Sequence, residues 1–248
     1  MKQQFTIKTP LSIALLCLSF LVIQGCNSTS KASTVRALTT NVNSDTKVLL
    51  MPLDVELSVL TAGGLNEVNA KWTKDAKGHM EKAIEFQLSR NNLNILDYQS
   101  PTDDINSANV QLEKLHEAVG YNVLVHHFGQ SKLPNKKHQF DWTLGEDAKL
   151  LKQQTGADYA MFVYVRDSYS SGGRVAMQVG LALLGVGVTG GMQVGFASLV
   201  DLNSGDIVWF NQLVSTSGDL RKAHGTQKTV ANLLTGLPSP RATSVKGS

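Results

Sequence analysis

The alternation of apolar and polar positions predicts one strand and one long helix at the start of the folded region. Residues 48–57 are continuously apolar and then alternate, which is typical of a strand covered on both faces at its beginning. Pro52 predicts a bulge or a sheet edge inside this strand. After the break at Gly63 and Gly64, apolar residues recur every three or four positions over 65–86, which predicts an amphipathic helix.

Shorter elements follow and finish in a hairpin and a helix. The pattern predicts a strand at 93–98, a helix at 108–119, a loop at 129–141, a strand at 158–165, a hairpin of 196–202 with 207–211, and a helix at 220–234. Thr143 and Glu146 have the spacing of a capping box, and Gly156 is expected to end the short helix that follows them. This order predicts an α/β (α+β) fold in which helices cover a mixed β-sheet.

A charge-free segment interrupts this pattern. Residues 175–200 carry no charge and include six glycines. The segment is a buried hairpin or loop, a membrane-spanning helix, or an apolar arm that enters a bilayer or packs between subunits. Glycine disfavours the spanning helix, because each one weakens a helix interior by up to about 1 kcal/mol. We therefore place a Gly-rich apolar insertion, hairpin or helical, at 174–195.

The apolar side chains of this insertion are the candidates for membrane or oligomer contact. They are Val175, Leu181, Leu183, Leu184, Val186 and Val188. The segment from Gly185 to Gly190 also matches G-x-G-x-x-G, but a strand rather than a helix follows it, so no nucleotide site is predicted.

Residues 1–25 have the parts of a lipoprotein signal peptide. The start is basic, residues 11–23 are apolar, and Gly25 precedes Cys26. We expect cleavage after Gly25 and acylation of Cys26, since the apolar run is shorter than the roughly 20 residues of a bilayer span. An uncleaved anchor with an ordinary thiol at Cys26 is the alternative. The residue after Cys26 is Asn27 rather than an aspartate. By resemblance to bacterial lipoproteins, this predicts sorting to the outer membrane, on its periplasmic side.

The chain that remains after cleavage is nearly neutral. Loss of Lys2 and Lys8 lowers Lys plus Arg from 23 to 21 against 20 acidic residues, a net charge of +1. This balance gives no basis for nucleic-acid binding. Cys17 leaves with the signal peptide, so neither a disulfide nor a Cys-ligated metal site is expected.

Polar segments flank the predicted domain at 47–237. Residues 26–46 are rich in Ser, Thr and Asn and predict the lipidated cysteine followed by a flexible linker. Residues 238–248 predict a disordered tail. Because the linker is short, the domain is expected to work close to its membrane.

No group of residues predicts catalysis. The six histidines are scattered, and a metal site at the adjacent His126 and His127 would need a carboxylate that the sequence does not nominate. His79 and His116 are expected on helix surfaces. We therefore predict a protein that is not an enzyme and has no cofactor and no metal.

Two pairs of charged residues remain to be placed. Arg166 and Asp167 form either a structural ion pair or a catalytic carboxylate with its guanidinium partner, and ion pairing is the more common arrangement. Asp54 and Glu56 share one face of the first strand and are expected at a solvated strand end.

The second half of the chain carries a family resemblance. GADYA at 156–160 opens a strand, SGG at 171–173 precedes the apolar stretch, and VDLNSGDIVW at 200–209 closes it. This pattern resembles the curli-secretion outer-membrane lipoproteins and their relatives, which include periplasmic lipoproteins that activate peptidoglycan synthases. The resemblance implies an α/β sandwich, also seen in the N-terminal domain of the translocation protein TolB, and subunits that form a ring with inserted hairpins. Residues 181–184 do not alternate as barrel strands do, so oligomerisation or membrane contact is expected rather than a pore.

The sequence therefore predicts an outer-membrane-anchored periplasmic lipoprotein with a non-enzymatic role in envelope assembly or export. It would act through protein contacts, as a homo-oligomer or with an envelope protein partner. The alternative is a periplasmic binding or regulatory module, for example a lipoprotein of the synthase-activator kind.

Overall fold

Eight strands form one mixed sheet in the computed structural model, which describes residues 29–34, 46–91, 93–98, 104, 107–136 and 139–238. The strands are β1 (Thr29–Thr34), β2 (Lys47–Leu50), β3 (Asp54–Leu60), β4 (Asn66–Val68), β5 (Asn94–Asp97), β6 (Tyr159–Ser170), β7 (Gln193–Asp201) and β8 (Ile207–Ser215). The helices are α1 (Ala70–Arg90), α2 (Ala108–Val123), α3 (Ala148–Thr155), α4 (Gly172–Leu183) and α5 (Ala223–Leu233). The predicted signal peptide with Gly25, and Cys26 itself, lie outside the described residues.

The sheet is organised around β6. On one side, β7, β8 and β1 follow in that order, and each is antiparallel to its neighbour. On the other side, β6 pairs in parallel with β2 near its start and with β3 further along. β5 lies beside β2, and β4 lies beside β3. The hairpin predicted from the sequence is confirmed as β7 and β8.

Pro52 interrupts the first predicted strand and divides it into β2 and β3. Leu50 pairs with Met161 and Asp54 pairs with Tyr164, so four steps along this chain match three steps along β6. The extra residue makes a one-residue bulge, as the proline predicts.

Helices cover both faces of the sheet, and each face has its own apolar core. α1 and α5 cover one face, where Met80, Val163 and Val230 are buried together. α2 and α3 cover the other face, where Phe196 and Phe210 are buried. Burial of apolar side chains on both faces provides the main stabilisation of such a layered fold. The predicted mixed sheet covered by helices is confirmed.

The structure differs from the predicted helix at 65–86 over its first residues. Asn66–Val68 is β4, which pairs with β3, and α1 begins after its N-cap Asn69. β3 extends beyond the core and turns back at Gly64, whose φ is +86°. Leu65 therefore lies in the turn of a hairpin, 70% exposed, although its spacing fits a helix.

Residues 29–34, which the sequence assigns to a flexible linker at 26–46, form the edge strand β1. Its backbone pairs with β8, beginning with Thr29 opposite Val214. An edge strand is held by backbone hydrogen bonds and needs no buried apolar face, so its Ser and Thr composition did not indicate it. The other domain boundaries stay predictions.

The predicted capping box before α3 is wrong. Thr143 Oγ1 accepts a hydrogen bond from Gly145 N and donates one to Gly205 O, which ties the loop to the β7–β8 turn. α3 begins after Asp147, whose side chain makes no capping bond. Gly156 ends α3 in the left-handed conformation with a φ of +68°, as predicted.

Candidate interaction surface

Most of the charge-free segment folds as an arm outside both cores. We name residues 171–192, which connect β6 to β7, the arm. Ser171 Oγ accepts a hydrogen bond from Arg174 N and starts α4. The returning loop lies against β6, because a Cβ on Gly191 would be only 1.9 Å from Ser168 O. Glycine therefore permits the close backbone approach that the sequence suggests. The rest of the segment is β7, which is buried in the sheet.

The polar side chains of α4 are directed away from solvent. Its polar side chains turn toward the protein: Arg174 Nη2 donates to Thr189 O over 2.9 Å, and Gln178 Nε2 donates to Val188 O over 3.2 Å. No residue of α4 is buried. A surface helix normally packs its apolar stripe on the core and turns its polar residues to water. In α4 the half-buried side combines Arg174 and Gln178 with Met177 and Leu181, and the exposed side is apolar.

The outward face of α4 is an apolar stripe. Val175, Val179 and Leu183 follow each other at four-residue spacing and are 47%, 59% and 83% exposed. Leu184, directly after the helix, is 77% exposed. Contiguous apolar surface of this kind marks sites that contact a protein or a membrane.

The arm contains all six contact residues nominated from the sequence. Val175, Leu183, Leu184 and Val186 are exposed, whereas Leu181 and Val188 are half-buried. Val179 was missed, although its spacing of four from both Val175 and Leu183 could have identified it. No helix among the described residues is long and apolar enough to cross a membrane. Whether these side chains contact a membrane or another subunit stays a prediction.

The β3–β4 hairpin lies beside the arm and extends its apolar surface. Arg174 Nη1 donates to Ala62 O in the hairpin turn over 3.4 Å. The neighbouring Leu65 is largely exposed. The arm and the hairpin therefore project from the same end of the sheet.

A cleft of about 700 Å³ opens next to the arm. It lies on the same face of the sheet as α2, beyond the part that this helix covers. Asn66, Tyr121 and Met192 are among the residues that line it. At its centre, the Arg166 guanidinium lies 4.0 Å from the centroid of the Tyr164 ring. The cleft combines aromatic walls with hydrogen-bonding groups, a composition that suits a polar ligand or a peptide.

Carboxylates already neutralise the cation of this cleft. Arg166 Nη1 lies 2.8 Å from Asp54 Oδ1, and its Nη2 lies 3.9 Å from Glu117 Oε1. Asp54 is therefore a half-buried ion-pair partner rather than a solvated strand end. The hydroxyls of Tyr121 and Tyr164 share a hydrogen bond. Burial, together with that bond, raises the pKa of Tyr164, so it stays protonated.

Arg166 and Asp167 do not form the pair that the sequence suggested. Neighbouring residues of a strand point to opposite faces of the sheet, and the carboxyl group of Asp167 lies on the face that α5 covers. Its Oδ2 accepts hydrogen bonds from Tyr169 OH over 2.5 Å and from Gln193 Nε2 over 2.9 Å. Burial raises the pKa of Asp167 to about 6. This carboxyl group lies between the sheet and α5.

His116 is buried and does not lie on a helix surface as predicted. Its Nε2 hydrogen-bonds Ser198 Oγ over 2.7 Å, and its ring stacks on Phe162 with centroids 4.4 Å apart. Burial lowers its pKa to about 3. Leu112, His116 and Gly120 share one face of α2, and this four-residue spacing is the signal that could have placed the histidine inside.

His79, His126 and His127 each contact a different part of the protein. His79 is half-buried on α1, with Nδ1 3.2 Å from Leu220 O. His126 Nδ1 lies 2.6 Å from Ser131 O, while the His127 ring packs edge-on against Phe140. In the part of the chain that the structure describes, no three His, Cys, Asp or Glu side chains are grouped to hold a metal ion.

Comparison with known proteins gives weak structural similarity only. No protein-family model and no curated protein matches this chain. Among solved structures, it is similar to the PelC dodecamer from Paraburkholderia phytofirmans, with 13% identity, a TM-score of 0.41, and coverage of 87% of this chain and 100% of that chain. A point variant of that dodecamer in a second crystal form gives 11% identity, a TM-score of 0.41, and coverage of 86% and 100%.

Proposed function

We propose that this protein is an outer-membrane lipoprotein on the periplasmic side that acts without catalysis in envelope assembly or export. It works through protein contacts, as a homo-oligomer or bound to an envelope protein. The observation that supports a place at an envelope surface is the outward apolar stripe of α4, formed by Val175, Val179 and Leu183. A stripe of this kind is stabilised when another apolar surface covers it.

The lipid anchor can be tested directly on its predicted cysteine. Cys26→Ala is expected to abolish labelling of the full chain by radioactive palmitate and to block cleavage after Gly25. Cys17→Ala is the matched control, because Cys17 lies within the predicted signal peptide and its replacement should change neither result. Equal labelling of the two variants would contradict the assignment of the anchor.

The assembly role can be tested by light scattering on the detergent-extracted protein. We expect a mass of several copies, or a complex with a second envelope protein. A monomer at every concentration, with no co-purifying protein, would count strongly against assembly.

A second candidate function is a binding or regulatory module, and the cleft beside the arm favours it. Met192 is 44% exposed and is part of that cleft, so Met192→Glu should weaken a partner or ligand bound there. Leu115→Glu is the matched control, since Leu115 is 40% exposed on α2 and does not line the cleft. Pull-down of one stoichiometric soluble partner, sensitive to the first variant and not to the second, would favour this function over assembly.

A further inference from the structure

The strands β3, β6, β7 and β8 meet at the end of the sheet from which the arm projects. Leu60 at the end of β3 pairs with Ser170 at the end of β6, and Gln193 at the start of β7 pairs with Ser215 at the end of β8. We name this the arm end of the sheet. β1 also begins here, because Thr29 is opposite Val214 and β1 runs antiparallel to β8.

The predicted lipid attachment site is therefore only a few residues along the chain from the arm end. Cys26 precedes Thr29 by three residues. Since a chain extends at most about 3.6 Å per residue, the Cα of Cys26 lies within about 11 Å of the Cα of Thr29. An acyl group on Cys26 brings the bilayer surface to the arm end. The flexible linker expected from the sequence would have allowed any orientation, whereas β1 restricts it.

We infer that the arm lies in the lipid–water interface of the same membrane that holds the acyl chains of Cys26, with Val175, Val179 and Leu183 buried among the lipids. This inference rests on the proposed lipid anchor and adds an orientation to it. Interfacial helices lie in the plane of the membrane with their apolar face about 5–10 Å deep. α4 differs from a free amphipathic helix because the returning loop of the arm and the β3–β4 turn accept the hydrogen bonds of its polar side chains.

The length and the charge of the arm favour a lipid surface over a second copy of the chain. α4 has 12 residues, so it is about 18 Å long and is too short to cross a hydrocarbon core of about 30 Å. Its outward apolar residues are few, whereas a stable protein interface takes roughly 20–30 residues from each partner. Residues 175–192 contain no charge that would have to be desolvated.

The opposite end of the sheet has a different surface. Charged side chains are exposed there, namely Lys47, Glu146 and Asp147. At the arm end, Leu65 and Leu184 add to the exposed apolar surface. Glu67 of β4 is also exposed at this end, so the apolar surface that a membrane would contact is confined to the arm and the β3–β4 turn.

The inference can be tested with one fluorescent label at each end of the protein. After cleavage and acylation the chain has no free thiol, so Leu183→Cys can be labelled selectively with the fluorophore NBD. Gln153→Cys, at an exposed position on α3 near the opposite end, is the matched control. The acylated full chain is reconstituted into phosphatidylethanolamine and phosphatidylglycerol vesicles, with and without bromine atoms on the acyl chains.

We expect a blue-shifted emission at position 183 and about threefold quenching by brominated lipid, which reports burial at interfacial depth. The label at position 153 should show neither effect. An unquenched label at position 183 would overturn the inference, whether its emission reports water or contact between two copies. Intact-mass analysis of the same sample separates the two proposals: an acylated chain with an unquenched label overturns only the orientation, whereas a chain without acyl groups overturns the proposed anchor and the orientation with it.

Discussion

Asp167 and Gln193 are a register pair of β6 and β7 whose side chains meet on the α5 side of the sheet, with Gln193 Nε2 donating to Asp167 Oδ2 over 2.9 Å. Gln193 Oε1 accepts a hydrogen bond from Thr229 Oγ1 of α5 over 3.2 Å. Tyr169 OH, which donates to the same carboxyl group, accepts one from Leu220 N. This buried polar group links two strands to the C-terminal helix at the arm end.

The Asp167 carboxyl group should give the protein a measurable pH dependence of stability. Burial raises its folded pKa from 3.8 to about 6. The contribution of Asp167 is therefore fully present below about pH 4 and is lost as the pH rises through 6. Asp167→Asn removes this titration, so the stability of the variant relative to wild type should rise by up to about 3 kcal/mol between pH 4 and pH 7. Urea unfolding at pH 4, 5, 6 and 7 measures the difference.

Asp147→Asn is the control for this experiment. Asp147 is exposed and its side chain makes no capping bond, so its replacement should leave the pH dependence unchanged. If the Asp167→Asn curve ran parallel to wild type over the whole range, the raised pKa of Asp167 would be refuted.

His116 should produce a pH dependence of the opposite sign. Burial lowers its folded pKa to about 3, below the usual 6.5. Its contribution to stability is complete above pH 6.5 and is lost as the pH falls toward 3, at about 1.4 kcal/mol per pH unit. His116→Gln keeps a hydrogen-bonding group for Ser198 and removes the titration, so the loss of stability below pH 6.5 should become shallower. Since Asp167 and His116 act in opposite directions between pH 4 and 6, each single variant should expose the effect of the other residue.

The same denaturation series measures the histidine effect, with His224→Gln as its control. His224 is exposed on α5, and its replacement should not alter the slope. A His116→Gln variant with the acid sensitivity of wild type would show that His116 becomes protonated in the folded protein.

The sequence predicted those elements whose burial leaves a regular period. β7 and β8 alternate or run apolar because they lie between two helical layers, and Gly156 marks the end of α3 by its left-handed conformation. β1 and β4 were missed because edge strands depend on backbone pairing, which has no side-chain period.

The sequence predicted which residues form the exposed apolar surface of the arm, but it did not predict how the arm folds. The charge-free run marked the arm, yet the sequence left a buried hairpin, a spanning helix and a projecting arm open. The outcome was decided by Arg174 and Gln178, whose bonds to Thr189 and Val188 turn the polar side of α4 inward. The tertiary partners that set this orientation are backbone carbonyls, and a sequence pattern does not identify those.

Gly120 should be essential for the packing of α2 on the sheet. A Cβ at this position would lie 2.0 Å from the Phe196 ring, which is fully buried. Gly120→Ala therefore forces α2 or the ring to shift and should lower the free energy of unfolding by about 1–3 kcal/mol. Gly78→Ala on α1 is the matched control, because nothing lies within 4 Å of its Cβ. The control should stabilise the protein by up to about 1 kcal/mol through helix propensity. Stabilisation by both variants in urea unfolding would contradict the close packing at Gly120.

Arg174 should hold the arm together and attach it to the β3–β4 turn without contributing much to global stability. Its guanidinium bonds Ala62 O in the β3–β4 turn and Thr189 O in the returning loop, and both contacts lie outside the cores. Arg174→Leu removes both bonds, each worth about 1 kcal/mol, so amide hydrogen exchange over 172–190 should become roughly 30-fold faster. Lys82→Leu, at an exposed position on α1, is the control for the loss of a cation. Faster exchange throughout the sheet as well as in the arm would show that Arg174 supports the whole fold, and unchanged exchange in the arm would show that the two Arg174 bonds do not hold it.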